Sequence, residues 1–146
     1  MIRNKDDNGM GRFSVEVELA NYEDMVLAKR GSLAPDRIRR LKVKGVVDSG
    51  AAKLVLPESV VRRLDLPDVD EVGVRYADGR RETRKVAGNI HLTCLGRSDL
   101  FSAIVEPGRD DASIGVIVLE ALDLIVDCTK QTLVPRDPHH IIAEID

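Results

Sequence analysis

The sequence contains no tryptophan and only two phenylalanines and two tyrosines among its 146 residues. A core built without large rings must come mainly from Val, Leu and Ile, which favours a β-rich interior where the spacing agrees. Few rings and a net charge of −3 also exclude a small barrel that stacks nucleic-acid bases, which needs aromatic platforms and a basic balance. No segment approaches the roughly 20 apolar residues that span a bilayer, and "MIRNKDDNGMGRFSV" lacks the apolar stretch of a signal peptide. A cytoplasmic protein with no nucleic-acid or membrane partner is the expectation. Cys94 and Cys128 stand singly, without a Cys-x-x-Cys spacing. They read as reduced, partly buried small hydrophobes, with one disulfide between them as the alternative.

What is present is short and β-like. Residues 1–10 are polar and are expected to form a disordered extension, leaving residues 11–146 as a single domain. "FSVEVEL" alternates, with Phe13, Val15, Val17 and Leu19 on one face, as a half-buried strand does. Residues 20–36 break the alternation and read as a long excursion with a helical turn near Glu23 to Lys29. "RIRRLKVKGVV" resumes strand character, and its basic residues read as a solvated face. Pro57 to Leu64 is expected to be a short helix with Pro57 at its first position. The acidic string from Asp65 to Glu71 lacks the spacing of a calcium loop and reads as a solvated loop. Asp78-Gly79 lies between two strand-like runs and predicts a long hairpin with its tip there. Its outgoing arm bends at Gly88. "SIGVIVLEALDLIVD" predicts a strand stub, a short helix and another strand, and "TLVP" a last one. About seven or eight short strands, one or two short helices and no βα alternation make an all-β barrel or sandwich. The tail "PHHIIAEID" is either an interface strand or a short helix packed on its own subunit, and its two histidines lack the companions of a metal site.

One feature of this pattern is chemical. In "KGVVDSGAAKLVLP" a bare Asp48 sits between two apolar runs, at a turn where charge is expensive. Asp48 is either an Asx-turn residue or a group kept for chemistry.

Taken in order, these pieces resemble the retropepsin-like aspartic proteases, single-domain relatives of pepsin, and look most similar to small bacterial members of that clan. "VVDSGA" fits the active-site turn, "LVLP" the strand after it, "YADGR" the flap hairpin, and "SIGVIVLEALDLIVD" the later Gly, helix and strand. Ser113 departs from the family by standing where a second apolar residue is usual, and the excursion over residues 20–36 is longer than in compact retroviral members. The resemblance implies a closed barrel with one lobe per chain and no cofactor or metal. It implies a catalytic role for Asp48, Ser49 and Gly50, with Ser49 bonding across a dimer. Ala51, Tyr76, Ala77, Asp78, Gly79, Arg80, Ile114 and Gly115 become candidates for flap or substrate pocket. Ala51 has no hydroxyl to donate to the carboxylate, which suggests a mildly acidic pH optimum, nearer neutral than pepsin's. Hydrolysis by this route needs two carboxylates, and the chain holds one Asp-Ser/Thr-Gly, so a protease here must be a homodimer acting on a polypeptide. The alternative is a catalytically silent dimeric module of the same fold that binds peptides, since fold does not guarantee function.

Overall fold

A computed structural model of the chain describes residues 12–146, so the extension expected over residues 1–10 lies outside the described residues. Alternation carries strand β1 (Arg12–Asn21), whose Phe13, Val17 and Leu19 are buried while Ser14 and Glu16 face water. The excursion that follows is a helix, α1 (Tyr22–Lys29), capped by the Asn21 side chain, which accepts from the Asp24 amide at 3.1 Å. Strand β2 (Arg40–Asp48) returns antiparallel along β1 in an unbroken register that sets Arg12 directly opposite Asp48.

Beyond the turn come β3 (Val55–Pro57) and helix α2 (Glu58–Arg63). Pro57 is the last residue of β3 and the N-cap of α2 rather than its first helical residue. The acidic string does not remain a loop: strand β4 (Asp68–Arg75) starts within it and pairs with β5 (Arg81–Cys94) from Asp68 opposite Ala87 onward. Acidic residues can enter a strand when their side chains stay in water, as Asp68, Asp70 and Glu71 do, and when a neighbour accepts the backbone bonds. The register of β5 against β6 (Arg97–Glu106) shifts between Ala87 and Ile90, where Asn89 takes a φ of 55°. That bulge is the bend expected at Gly88.

The remaining elements are β7 (Ala112–Ile114), α3 (Val116–Ala121), β8 (Leu124–Asp127) and β9 (Thr132–Pro135). Strands run in the order β1-β2-β7-β3-β6-β5, and β1 also pairs with β5, so six strands close into a barrel from which the β4–β5 hairpin projects. Closure leaves the aliphatic faces pointing inward, with Leu19, Val47, Leu56, Leu92 and Leu122 fully buried. The fold is thus the mostly-β, single-lobe barrel the sequence predicts, with nine strands and three α-helices among the described residues.

Two local expectations change. Cys94 is buried but Cys128 is exposed, and both are free, so no disulfide joins them. Residues 136–146 form neither helix nor strand, which removes the packed-helix reading of the tail. No helix among the described residues is long and apolar enough to cross a membrane.

Candidate active site

Asp48 is the last residue of β2, and the chain reverses directly after it, with the Ala51 amide donating to the Asp48 carbonyl at 3.0 Å. The carboxylate is held in two ways. The Gly50 amide donates to Oδ1 at 3.0 Å, an Asx-turn bond. On the other oxygen, Arg12 Nη2 stands 3.2 Å from Oδ2. The Asp48 side chain keeps 21% of its surface in water. Ser49 is exposed and makes no hydrogen bond among the described residues.

A second segment braces this turn from behind. The Val116 amide donates to the Ala51 carbonyl at 2.9 Å and the Ile117 amide to the Ala52 carbonyl at 3.0 Å, so the first turn of α3 spends its free amides on the Asp48 turn. Such proximity demands Gly115, where a Cβ would lie 2.4 Å from the Lys53 carbonyl oxygen. Ile114 is 1% exposed and packs into the core against Gly45. Ile114 and Gly115 therefore support the turn and offer no surface to a peptide, unlike the pocket-lining role expected of them.

The hairpin tip closes by a three-residue loop, with the Gly79 amide donating to Tyr76 and the Tyr76 amide to Arg80, both at 2.9 Å. Only Gly79 takes a positive φ, of 90°, so the loop is not the two-residue turn in which Asp78 would share that conformation. Asp78 instead accepts from the backbone and guanidinium of Arg80, each at 3.0 Å, and these bonds hold its carboxyl below the usual range, the backbone bond counting most. The Arg80 guanidinium also lies 4.5 Å from the Tyr76 ring centre. Ala77 is exposed. Tyr76 leaves the tip for the barrel wall: its hydroxyl donates to the Glu106 carboxylate, 2.7 Å from Oε1 and 2.8 Å from Oε2, and accepts from Arg84 at 3.0 Å. Burial, followed by the Glu106 bond, pushes the Tyr76 hydroxyl up from its ordinary pKa.

Between the hairpin and the wall runs a groove of about 460 Å³, lined among others by Lys53, Leu54, Val72, Val86 and Ile104. None of the residues Asp48 to Ala51 lines it. The structure thus brings Asp48, Ser49, Gly50, Ala51 and Gly115 together, and Tyr76 to Arg80 together. Among the described residues no hydrogen bond or ion pair links the two groups.

A family model described as "Aspartyl protease" matches residues 35–119, more than half of the chain. The chain belongs to the aspartyl protease family. That stretch contains the Asp48 turn, the hairpin and the Gly115 brace of this family member, while leaving out Arg12 and the tail. A search of the curated proteins finds no match. Among solved structures, the EIAV protease complexed with the inhibitor HBY-793 is similar, at 14% identity over 83% of this chain and 94% of that one, with a TM-score of 0.53. The simian foamy virus (mac) protease in solution matches 73% of this chain and 90% of its own at 17% identity, with a TM-score of 0.47.

Two site residues of this aspartyl protease escape sequence reasoning. Arg12 meets Asp48 only through the β1–β2 register, across an intervening excursion that leaves no spacing signal. Glu106 looks like the end of a strand before Pro107, and only the barrel brings it to Tyr76.

Proposed function

We propose that the protein is an aspartic endopeptidase, cytoplasmic in location, that hydrolyses polypeptides as a homodimer with one Asp48 from each chain. The observation that carries this reading is the Asp48 carboxylate itself. It stands at the mouth of a braced turn, anchored on one oxygen by Gly50 and partly open to water, in a chain of the aspartyl protease family. Two such carboxylates close together hold one proton between them, because like charges about 3 Å apart do not both ionise. The ionised one draws a proton from water, which adds to the scissile carbonyl, while the protonated one donates to the carbonyl oxygen. The proton then passes to the leaving nitrogen as the C–N bond breaks.

Ser49, exposed and making no hydrogen bond among the described residues, is placed to bond the partner's turn. An extended peptide fits the groove under the hairpin, where main-chain bonds of the strand-adding kind would hold it and the hairpin would exclude water. Tyr76, Ala77, Asp78, Gly79 and Arg80 then form the cover, with Ala51 beside the reacting carbonyl.

The test is cleavage of an unbiased peptide library from acid to neutral pH by wild type and by Asp48→Asn, with the solution mass of each. A wild-type dimer should cut, and Asp48→Asn should lose at least about 10³-fold in rate while remaining folded. A monomer that cuts as well would sink the shared-proton mechanism. A dimer that binds peptides without cutting them would be the silent module, a reading favoured by the Arg12 guanidinium on Asp48 Oδ2.

A further inference from the structure

Both oxygens of Asp48 are engaged within a single chain, one by the Gly50 amide at 3.0 Å and the other by Arg12 at 3.2 Å. The backbone bond is part of the turn and cannot leave without unfolding it. The Arg12 bond is different in kind. It comes from a side chain on the first described strand residue, 47% of which lies in water, and such half-open ion pairs are weak enough to exchange. The oxygen that Arg12 covers is also the one the turn leaves over for water, for the shared proton and for a second carboxylate.

We infer that Arg12 is a guard on the catalytic carboxylate: in the single chain it occupies Asp48 Oδ2, and it must swing away before the two Asp48 side chains can share a proton. This rests on the reading of Asp48 as the catalytic acid. A single chain is thereby silent twice over, lacking a second carboxylate and having its own one covered. The register makes the guard possible, because Arg12 and Asp48 are direct cross-strand partners in β1 and β2, so a modest rotation of the arginine suffices to seat or free it. Among the described residues Arg12 alone makes an ion pair with Asp48. The guanidinium has a better destination once a dimer forms only if something else takes its place on Oδ2, and the partner's protonated carboxyl is the group the shared-proton mechanism brings there.

The experiment is labelling of Asp48 by a carboxyl-directed epoxide on full-length protein, diluted until sedimentation shows only monomer, with the site of attachment read by peptide mass. Wild type, Arg12→Gln and Arg12→Lys are compared, and Asp48→Asn gives the background. Arg12→Gln should label roughly threefold to fivefold faster than wild type, as expected for release of a partly exposed ion pair. Arg12→Lys should fall between them, because a point charge on a flexible stem pairs with a carboxylate less tightly than a guanidinium fork. Labelling of Arg12→Gln no faster than wild type overturns the guard. The readout needs no proteolysis, so the two readings fail separately. A protein that cuts nothing yet labels faster without Arg12 loses the protease reading and keeps the guard. An active protease whose labelling ignores Arg12 keeps its mechanism and loses the guard.

Discussion

Gly115 shows how a single missing side chain positions the Asp48 turn. Its φ of −92° suits any residue, so the restriction is one of space rather than conformation. The three atoms a Cβ would meet, at 2.4 to 2.7 Å, all belong to the backbone of Ala52 and Lys53 and cannot rotate aside. Gly115→Ala should therefore push the turn off α3, at a cost of about 1–3 kcal/mol in denaturant unfolding, and under the protease reading reduce cleavage further than that loss explains. Gly73→Ala in the hairpin is the contrast, since nothing lies within 4 Å of its Cβ position and stability should be nearly unchanged. A second prediction at this scale concerns acid. The hydrogen bond from the Arg39 guanidinium holds the Asp24 carboxyl below its usual range; burial opposes this and the Arg39 amide adds to it. A carboxyl lowered on folding stabilises fully above its unfolded pKa, about 3.9, and ceases to do so as pH falls through the folded value. Asp24→Asn should thus be less stable than wild type at pH 7, and the gap should narrow below about pH 4. Unfolding midpoints at pH 7 and pH 3 decide it, and an equal gap at both would refute the linkage.

At the scale of elements, the hairpin is tied to the barrel by its side chains as well as by its strands. Tyr76, Arg84 and Glu106 form a half-buried cluster on the hairpin's inner side, with Arg84 Nε 3.1 Å from Glu106 Oε1. Tyr76→Phe removes the hydroxyl between the other two and leaves the Arg84–Glu106 pair in place. Hydrogen bonds to charged groups contribute about 1.5–3 kcal/mol, so amides of the tip, residues 76–80, should exchange about tenfold faster or more in the variant, with the barrel amides unchanged. No change at the tip would mean the cluster does not restrain it. The same hairpin shows how far the sequence can be read. Its position follows from Asp78-Gly79 and from alternation on both sides, and the bulge from Gly88, because these are local signals carried by a few adjacent residues. The Asp48 turn and the later Gly-helix segment are visible for the same reason. What joins them is not local. The partners of Tyr76 and Asp48 are Glu106 and Arg12, each fixed by register across a closed barrel, and the start of β4 within an acidic string depends on what β5 offers opposite it. The burial that takes Ile114 out of the pocket likewise follows from barrel closure rather than from its own neighbours.

For the whole molecule, the last residues carry the clearest sign of an unfinished surface. Arg136 pairs with Asp123, and Arg97 donates to the Asp137 carbonyl, so the chain is pinned to the barrel as far as residue 137. Past that point Ile141, Ile142 and Ile145 are 55%, 60% and 92% exposed. Burying apolar surface is worth about 25 cal/mol per Å², so three exposed isoleucines on one short segment gain most from a second chain that covers them. Under the homodimer reading, removing residues 139–146 should leave the barrel folded, with an unfolding free energy within about 0.5 kcal/mol of the intact monomer, because nothing in the core is touched. It should also convert a dimer into a monomer and abolish cleavage, since each chain supplies one Asp48. Sedimentation and peptide cleavage on the same samples separate the possibilities. A truncated chain that still dimerises and cuts places the interface elsewhere. One that dimerises without cutting assigns the tail to the site rather than to assembly. Loss of both together ties activity to pairing, as a site assembled from two half-sites requires.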